Sequence, residues 1–188
     1  MKPKISMFVL PGGKLPERQT AGAIGYDVYL RAVVSAHDMD TKNPNLRKTL
    51  FDFRVKPDDP EVSRHVFQGN GNMVYQMDPG ESVLVGIGFV TSMTFPMFYW
   101  VAPRSGLASR WGITVTNAPG TVDPDYRGEA GVLVYNRSKT TFDLRHNMRI
   151  AQIIFQRALI PEITAVENFT DLSKTGRGSG GFGSTGLH

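Results

Sequence analysis

Residues 82–103 read SVLVGIGFVTSMTFPMFYWVAP, twenty-two positions without one charged side chain. That is about the length of a membrane-spanning helix, and a hydropathy scan alone would take it for one. Gly86, Gly88 and Pro96, with Thr91, Ser92 and Thr94 between them, break the run. The segments VLVGIGFV and MFYWVA are therefore expected as two strands meeting around Phe95-Pro96, and no membrane association is expected.

Outward from that stretch the same texture recurs. β-branched and aromatic runs at 4–10, 25–31, 83–91, 97–102, 130–136 and 149–159 are bounded by Gly, Pro, Asn or Asp, and no helical period is sustained. Asp78-Pro79-Gly80-Glu81 is a turn, with Pro preset at its second position and Gly free at its third. The expected fold is all-β, a barrel or a sandwich. With 188 residues, 40% of them hydrophobic, the chain is long enough for one domain with an appendage.

Two stretches stand apart from this core. Residues 38–64 hold 12 of the 38 charged residues, six of each sign, and include FDFRVK, where Phe51, Phe53 and Val55 alternate with Asp52, Arg54 and Lys56. The alternation predicts a β arm with one wet face. Gly69-Asn70-Gly71-Asn72 then reads as a hairpin tip. At the other end, six of the eleven residues 176–186 are Gly. That segment is either a flexible tail or a flap ordered by ligand.

Composition also excludes chemistry. The absence of cysteine removes disulfides, thiolate nucleophiles and the zinc site of a base deaminase, and it is compatible with a reducing compartment. The six-residue apolar-leaning run before Pro11 is too short for a secretory signal, so a cytoplasmic location is expected. The net charge of +4 suits an anionic partner without separating nucleic acid from a small phosphorylated ligand. His37, His65, His146 and His188 show no metal-ligand spacing.

Three motifs carry possible chemistry. The glycine tail matches G-x-G-x-x-G twice, yet only two residues follow it, so it cannot open a dinucleotide-binding helix. It remains a run of N–H donors beside Arg177, Ser184 and Thr185, with Phe182 free to stack on a base. PRSGLASRWG at 103–112 places Arg104 and Ser105 before Gly106 where a short helix can begin, either a phosphate cradle or an ordinary cap with a solvated Arg. NAPGTVDPDYRGE at 117–129 sets Asp123 and Asp125 on either side of Pro124, ahead of Tyr126 and Arg127. Residues two apart on a strand point the same way, whereas a Pro turn leaves the directions open, and a plain Asp/Pro turn is the other reading.

Five segments in order, AGAIGYD (21–27), PRSGLA (103–108), NAPGTVDPDYRGE (117–129), RIAQIIF (149–155) and RGSGGFGSTG (177–186), resemble the trimeric deoxyuridine triphosphatase (dUTPase) family. The resemblance implies a jelly-roll-like β barrel, a homotrimer with active sites shared between subunits, and hydrolysis of dUTP to dUMP and pyrophosphate. Such an activity keeps uracil out of DNA and supplies dUMP for thymidylate synthesis. By the same resemblance Asp123 activates the water that attacks the α-phosphorus, from a carboxylate recessed in the site mouth. Tyr126 packs under the sugar and excludes a 2′-hydroxyl. Asn117, with backbone groups from Thr121 and Val122 through to Gly131, hydrogen-bonds uracil.

Arg104, Ser105, Gly106 and Gln152 match phosphate contacts, and Arg177 with Gly183, Ser184 and Thr185 matches a tail closing over the β and γ phosphates. Phe182 stacks on uracil in that pattern. Mg²⁺ is the implied cofactor, held mainly by the phosphates, with Asp27 touching it through water. About forty residues, 36–75, have no counterpart in the family pattern and are expected as an inserted arm, a possible site for a protein partner, in one domain spanning 1–188 whose flap is 176–188. The related dCTP deaminases are the alternative, but they use a Glu in the strand after the Asp/Pro turn, and AGVLVYN at 130–136 has no carboxylate. A nucleotide-switched binding protein is the other; the arm's balanced charge does not suit a simple nucleic-acid patch.

Overall fold

A computed structural model describes residues 4–57, 60–69 and 72–181. In chain order the strands are β1 (Ser6–Val9), β2 (Tyr26–Tyr29), β3 (Ala32–Met39), β4 (Arg47–Asp52), β5 (Val66–Gly69), β6 (Asn72–Met77) and β7 (Ser82–Gly86). They continue as β8 (Phe89–Ser92), β9 (Met97–Ala102), β10 (Ile113–Val115), β11 (Gly120–Val122), β12 (Gly131–Asn136), β13 (Phe142–Arg145) and β14 (Arg149–Arg157). The helices are short, α1 (Pro60–Ser63) and α2 (Ser105–Trp111). The all-β expectation holds, and no helix among the described residues is long and apolar enough to cross a membrane.

The strands form four sheets, ordered β10-β12-β7-β3-β4, β11-β9-β14-β2, β13-β6-β5 and β1-β8. The strands do not close into a single ring, so the barrel anticipated from the sequence is open. Alternation explains which faces pack. On β7, Val83 and Val85 are buried while Leu84 between them is half-exposed, and on β12 Val132 and Val134 are buried while Gly131, Leu133 and Tyr135 face outward. The inward set meets Leu30, Met77, Ile87, Phe89, Tyr99 and Ile153 in one core.

The uncharged run differs from its expected form in one respect. VLVGIGFV is two strands, because Gly88 takes φ +78°, and its N–H leaves the ladder to donate to Glu129 at 2.8 Å. β7 stays in the five-stranded sheet while β8 pairs with β1, Ser6 opposite Ser92. Phe95-Pro96 separates β8 from β9 as anticipated, through a cis peptide bond.

The charged stretch is also only partly as predicted. β4 stops at Asp52, and residues 53–55 are turn and bend, with Phe51 and Phe53 buried but Val55 62% exposed. The cause is a local side-chain bond: Asp52 Oδ1 accepts from the Arg54 backbone N–H at 3.0 Å and from its Nε at 2.8 Å, bending the chain where alternation would have continued it. Beyond it, β5 and β6 pair antiparallel with Gly69 opposite Asn72, while Asn70 and Gly71 of the expected hairpin tip lie outside the described residues.

The Arg54 hydrogen bonds hold the Asp52 carboxyl below its ordinary range. A lowered carboxylate pKa adds stability that is present above the unfolded-state value and is lost as pH falls through the folded-state value. Asp52→Asn is therefore expected to melt below the parent at neutral pH, with the gap closing below about pH 4. A gap that stays constant from pH 7 to pH 3 would assign the loss to packing instead.

The chain divides into two units, Met1–Ala158 and Leu159–His188. In the second, residues 159–168 carry no regular structure, and Phe169–Asp171 form a single 3₁₀ turn capped by Asn168. Gly178 adopts φ +54° in the turn after Thr175.

Candidate active site

The segment 117–129 is built as a hairpin and a turn. β11 pairs with β9, Thr121 opposite Trp100, after a cis Ala118–Pro119 bond. The Asn117 amide lies over the hairpin backbone at Gly120, where an added Cβ would come within 3.2 Å of its Nδ2. Past β11 the Tyr126 N–H donates to the Asp123 carbonyl at 3.3 Å, and the Arg127 guanidinium closes the turn by donating to the Pro124 carbonyl at 2.6 Å. The Tyr126 hydroxyl donates to the Glu129 carbonyl at 3.1 Å, tethering the ring just ahead of the returning strand β12.

What anchors this loop to the core is a buried ion pair. Arg31 donates through Nε and NH2 to the two Glu129 oxygens at 2.7 and 2.6 Å, with side chains only 9% and 1% exposed. Two parallel charge-assisted bonds with a third from Gly88 satisfy a carboxylate that could not otherwise be buried. The carboxylate rests against Gly86, where any side chain would overlap it.

A cleft of about 380 Å³ opens beside the hairpin. It is lined by Asn117, Thr121, Val122, Asp123, Tyr126 and Gly131, all six chosen from sequence, and by Leu84, Ala130 and Leu133. Asp123 lines the cleft and also, with Pro124, borders a neighbouring hollow lined by Met93, Phe95, Asp125 and Arg127; Asp125 is not part of the cleft lining. The expectation of a recessed Asp123 is corrected, since it is exposed on the turn at the cleft edge.

A second group lies on the four-stranded sheet and is not part of that cleft's lining. Asp27 on β2 accepts from Arg104 Nε at 3.1 Å and from Arg149 at 3.2 Å. Arg104 holds the N-cap position of α2 without a side-chain cap bond, its guanidinium being paired with Asp27 and not solvated, and Ser105 and Gly106 are exposed in the first turn. Gln152 is opposite both Asp27 and Ala102, and its amide donates to the Pro103 carbonyl at 3.0 Å. In the second unit Arg177 donates to the Gly180 carbonyl at 2.8 Å, while Phe182, Gly183, Ser184 and Thr185 lie outside the described residues.

Sequence reasoning missed several members. Arg149 opens the quoted RIAQIIF block, and its pairing with Asp27 needs the β2–β14 register. The Arg31–Glu129 pair spans 98 positions with no local pattern to announce it. Arg47 and Ala36, from the stretch read as an inserted arm, also line the cleft. His65, read as isolated, comes within 4.8 Å of Asp78 and Glu81. Those groups are engaged in the fold: Glu81 accepts from the Tyr75 hydroxyl and the Asp78 N–H, both at 2.7 Å, and His65 stacks on Tyr75.

The family model for dUTPase matches residues 74–186, which hold the hairpin, Arg104, Arg149 and the glycine tail. The chain belongs to the dUTPase family. A deoxyuridine 5'-triphosphate nucleotidohydrolase of Heliobacterium modesticaldum is 36% identical over 178 residues, 95% of this chain and 93% of its own. Among solved structures, the Staphylococcus bacteriophage 80alpha dUTPase with dUPNHPP superposes with a TM-score of 0.68 at 17% identity, over 98% of this chain and 99% of that one. A mutant dUTPase from phage phi11 of S. aureus, whose structure describes coordination of a structural Mg(II) ion, superposes at 0.61 with 15% identity, over 88% and 98%. The shared fold takes in nearly all of both solved chains, 99% of the first and 98% of the second.

Proposed function

We propose that this chain hydrolyses dUTP to dUMP and pyrophosphate, a water activated by Asp123 attacking the α-phosphorus. The observation that carries this reading is the convergence of Asn117, Thr121, Val122, Asp123, Tyr126 and Gly131 on one cleft, in a member of the dUTPase family. The hairpin backbone and Asn117 take the uracil edge as fixed donors and acceptors, so that cytosine would leave buried groups unpaired. Tyr126, tethered by its hydroxyl, lies under the sugar.

Arg104, Ser105, Gly106 and Gln152 take phosphate oxygens, and Arg177 with residues 182–185 closes the triphosphate. Because Asp27, Arg104 and Gln152 are not among the residues lining that cleft, a site completed between copies in a homotrimer accommodates both sets. Mg²⁺ fits this donor set in one way. Both Asp27 oxygens already accept from arginine, which suits a hydrogen bond to a metal-bound water and not direct ligation. Bound through the phosphates, Mg²⁺ would neutralise charge developing on the leaving pyrophosphate.

Pyrophosphate release from each deoxynucleoside triphosphate with Mg²⁺ tests the proposal. Cleavage is expected for dUTP at least about 100-fold faster than for dCTP or dTTP, as kcat/KM. Comparable rates for all three would remove uracil recognition from the hairpin.

A further inference from the structure

The cleft has a margin that the five sequence motifs do not supply. Its floor is the outer face of the five-stranded sheet, where Leu133 on β12 stands opposite Leu84 on β7. The strand order then runs through β3 to β4, so the sheet edge away from β10 belongs to residues of the inserted stretch. From that edge Ala36 and Arg47 complete the lining. Arg47 starts β4 opposite Met39 and is half-buried.

Its guanidinium is held by one nitrogen. NH1 donates to the Ala36 carbonyl at 2.7 Å and weakly to the Ser35 carbonyl at 3.4 Å. Those bonds fix the planar fork at the cleft wall while Nε and NH2 make no hydrogen bond within the described residues. A positioned cation with spare donors beside a cleft whose other polar residues are Asn117, Thr121, Asp123 and Tyr126 matches an acceptor oxygen of the bound molecule.

We propose that Arg47 is a substrate-binding residue: the inserted arm forms one wall of the nucleotide cleft, and the Arg47 guanidinium donates to an oxygen of the deoxyuridine nucleotide held there. The inference rests on the dUTP reading of the cleft and adds to it a contact outside the family motifs. It also gives the charged stretch a role in the active site itself.

The test compares the parent with Arg47→Gln and Arg47→Lys. For Arg47→Gln the KM for dUTP is expected to rise about 10-fold or more with kcat within about 2-fold, because a ground-state contact is lost. Arg47→Lys should recover part of the loss by keeping the charge. Calorimetric titration with deoxyuridine and with dUMP locates the oxygen: equal weakening of both places it on the nucleoside, weakening of dUMP alone on the phosphate. If Arg47 only clips the Ser35 and Ala36 carbonyls, Arg47→Gln will melt earlier with KM and both affinities unchanged, and the proposal falls. A parent that does not cleave dUTP defeats the functional reading instead; dUMP titration of parent and variant then still decides, equal affinity or none overturning the role of Arg47.

Discussion

Asp123→Asn is expected to lower kcat for dUTP by about 10²- to 10⁴-fold, the range that a positioned general base contributes. The asparagine amide is isosteric and can still orient a water, but it cannot take the proton that the water must lose as it attacks phosphorus. Binding should survive, because the cleft is walled by Asn117, Thr121, Tyr126 and the sheet face. The dUMP dissociation constant is accordingly expected to change by less than about 3-fold, a uniform-binding contact being absent. Asp125→Asn is the control: that carboxylate lies in the adjoining hollow, and its neutralisation should leave turnover near the parent value. Full activity in Asp123→Asn, or equal losses in both variants, would take the base role away from Asp123.

The second large effect concerns stability. Glu129→Gln keeps the shape of the side chain but takes from the buried Arg31 guanidinium its paired carboxylate, leaving only the weaker, unbonded attraction of Asp52. Losing one partner of such a pair costs about 3–5 kcal/mol. In a chain of this size that corresponds to a melting temperature lower by roughly 6–20 °C. Replacing both residues, Arg31→Met with Glu129→Leu, should recover much of the loss, since an apolar pair needs no compensation. A Glu129→Gln protein that melts within about 2 °C of the parent would show the pair to be hydrated and unimportant. The same substitution loosens the anchor of the Tyr126 turn, so any folded fraction should also bind dUMP less tightly.

Local chemistry was legible in the sequence, and long-range pairing was not. The hairpin and turn of 117–129 could be read because Pro, Gly and Asp impose their backbone preferences within four residues. Six members of the cleft followed from the family motifs, yet only the fold shows that Asp123 reaches the cleft and Asp125 does not, because the direction of a side chain past a Pro turn depends on how the turn is clamped, here by Arg127. Alternation placed Phe53 inward correctly but misled at Val55, where the Asp52–Arg54 bonds had already ended the strand period. Arg47 was invisible for a different reason. A charged residue in a charged stretch has no pattern of its own, and its place at the cleft comes from the order of strands in a sheet.

The division of the uncharged run among three sheets, β7, β8 and β9 each in a different one, sets the order in which the chain can bury it. β7 needs β3 from earlier in the chain and β12 from some fifty positions later, while β8 needs β1 from the N-terminal end. The turn between them is fastened by Glu129, 41 residues on from Gly88. During synthesis the most apolar segment therefore emerges well before most of its cover exists. Such a topology folds slowly because loop closure precedes reward, and until then residues 82–103 are an aggregation hazard. Chain truncated before residue 131 should collect in the insoluble fraction, and that segment should be the one chaperones hold.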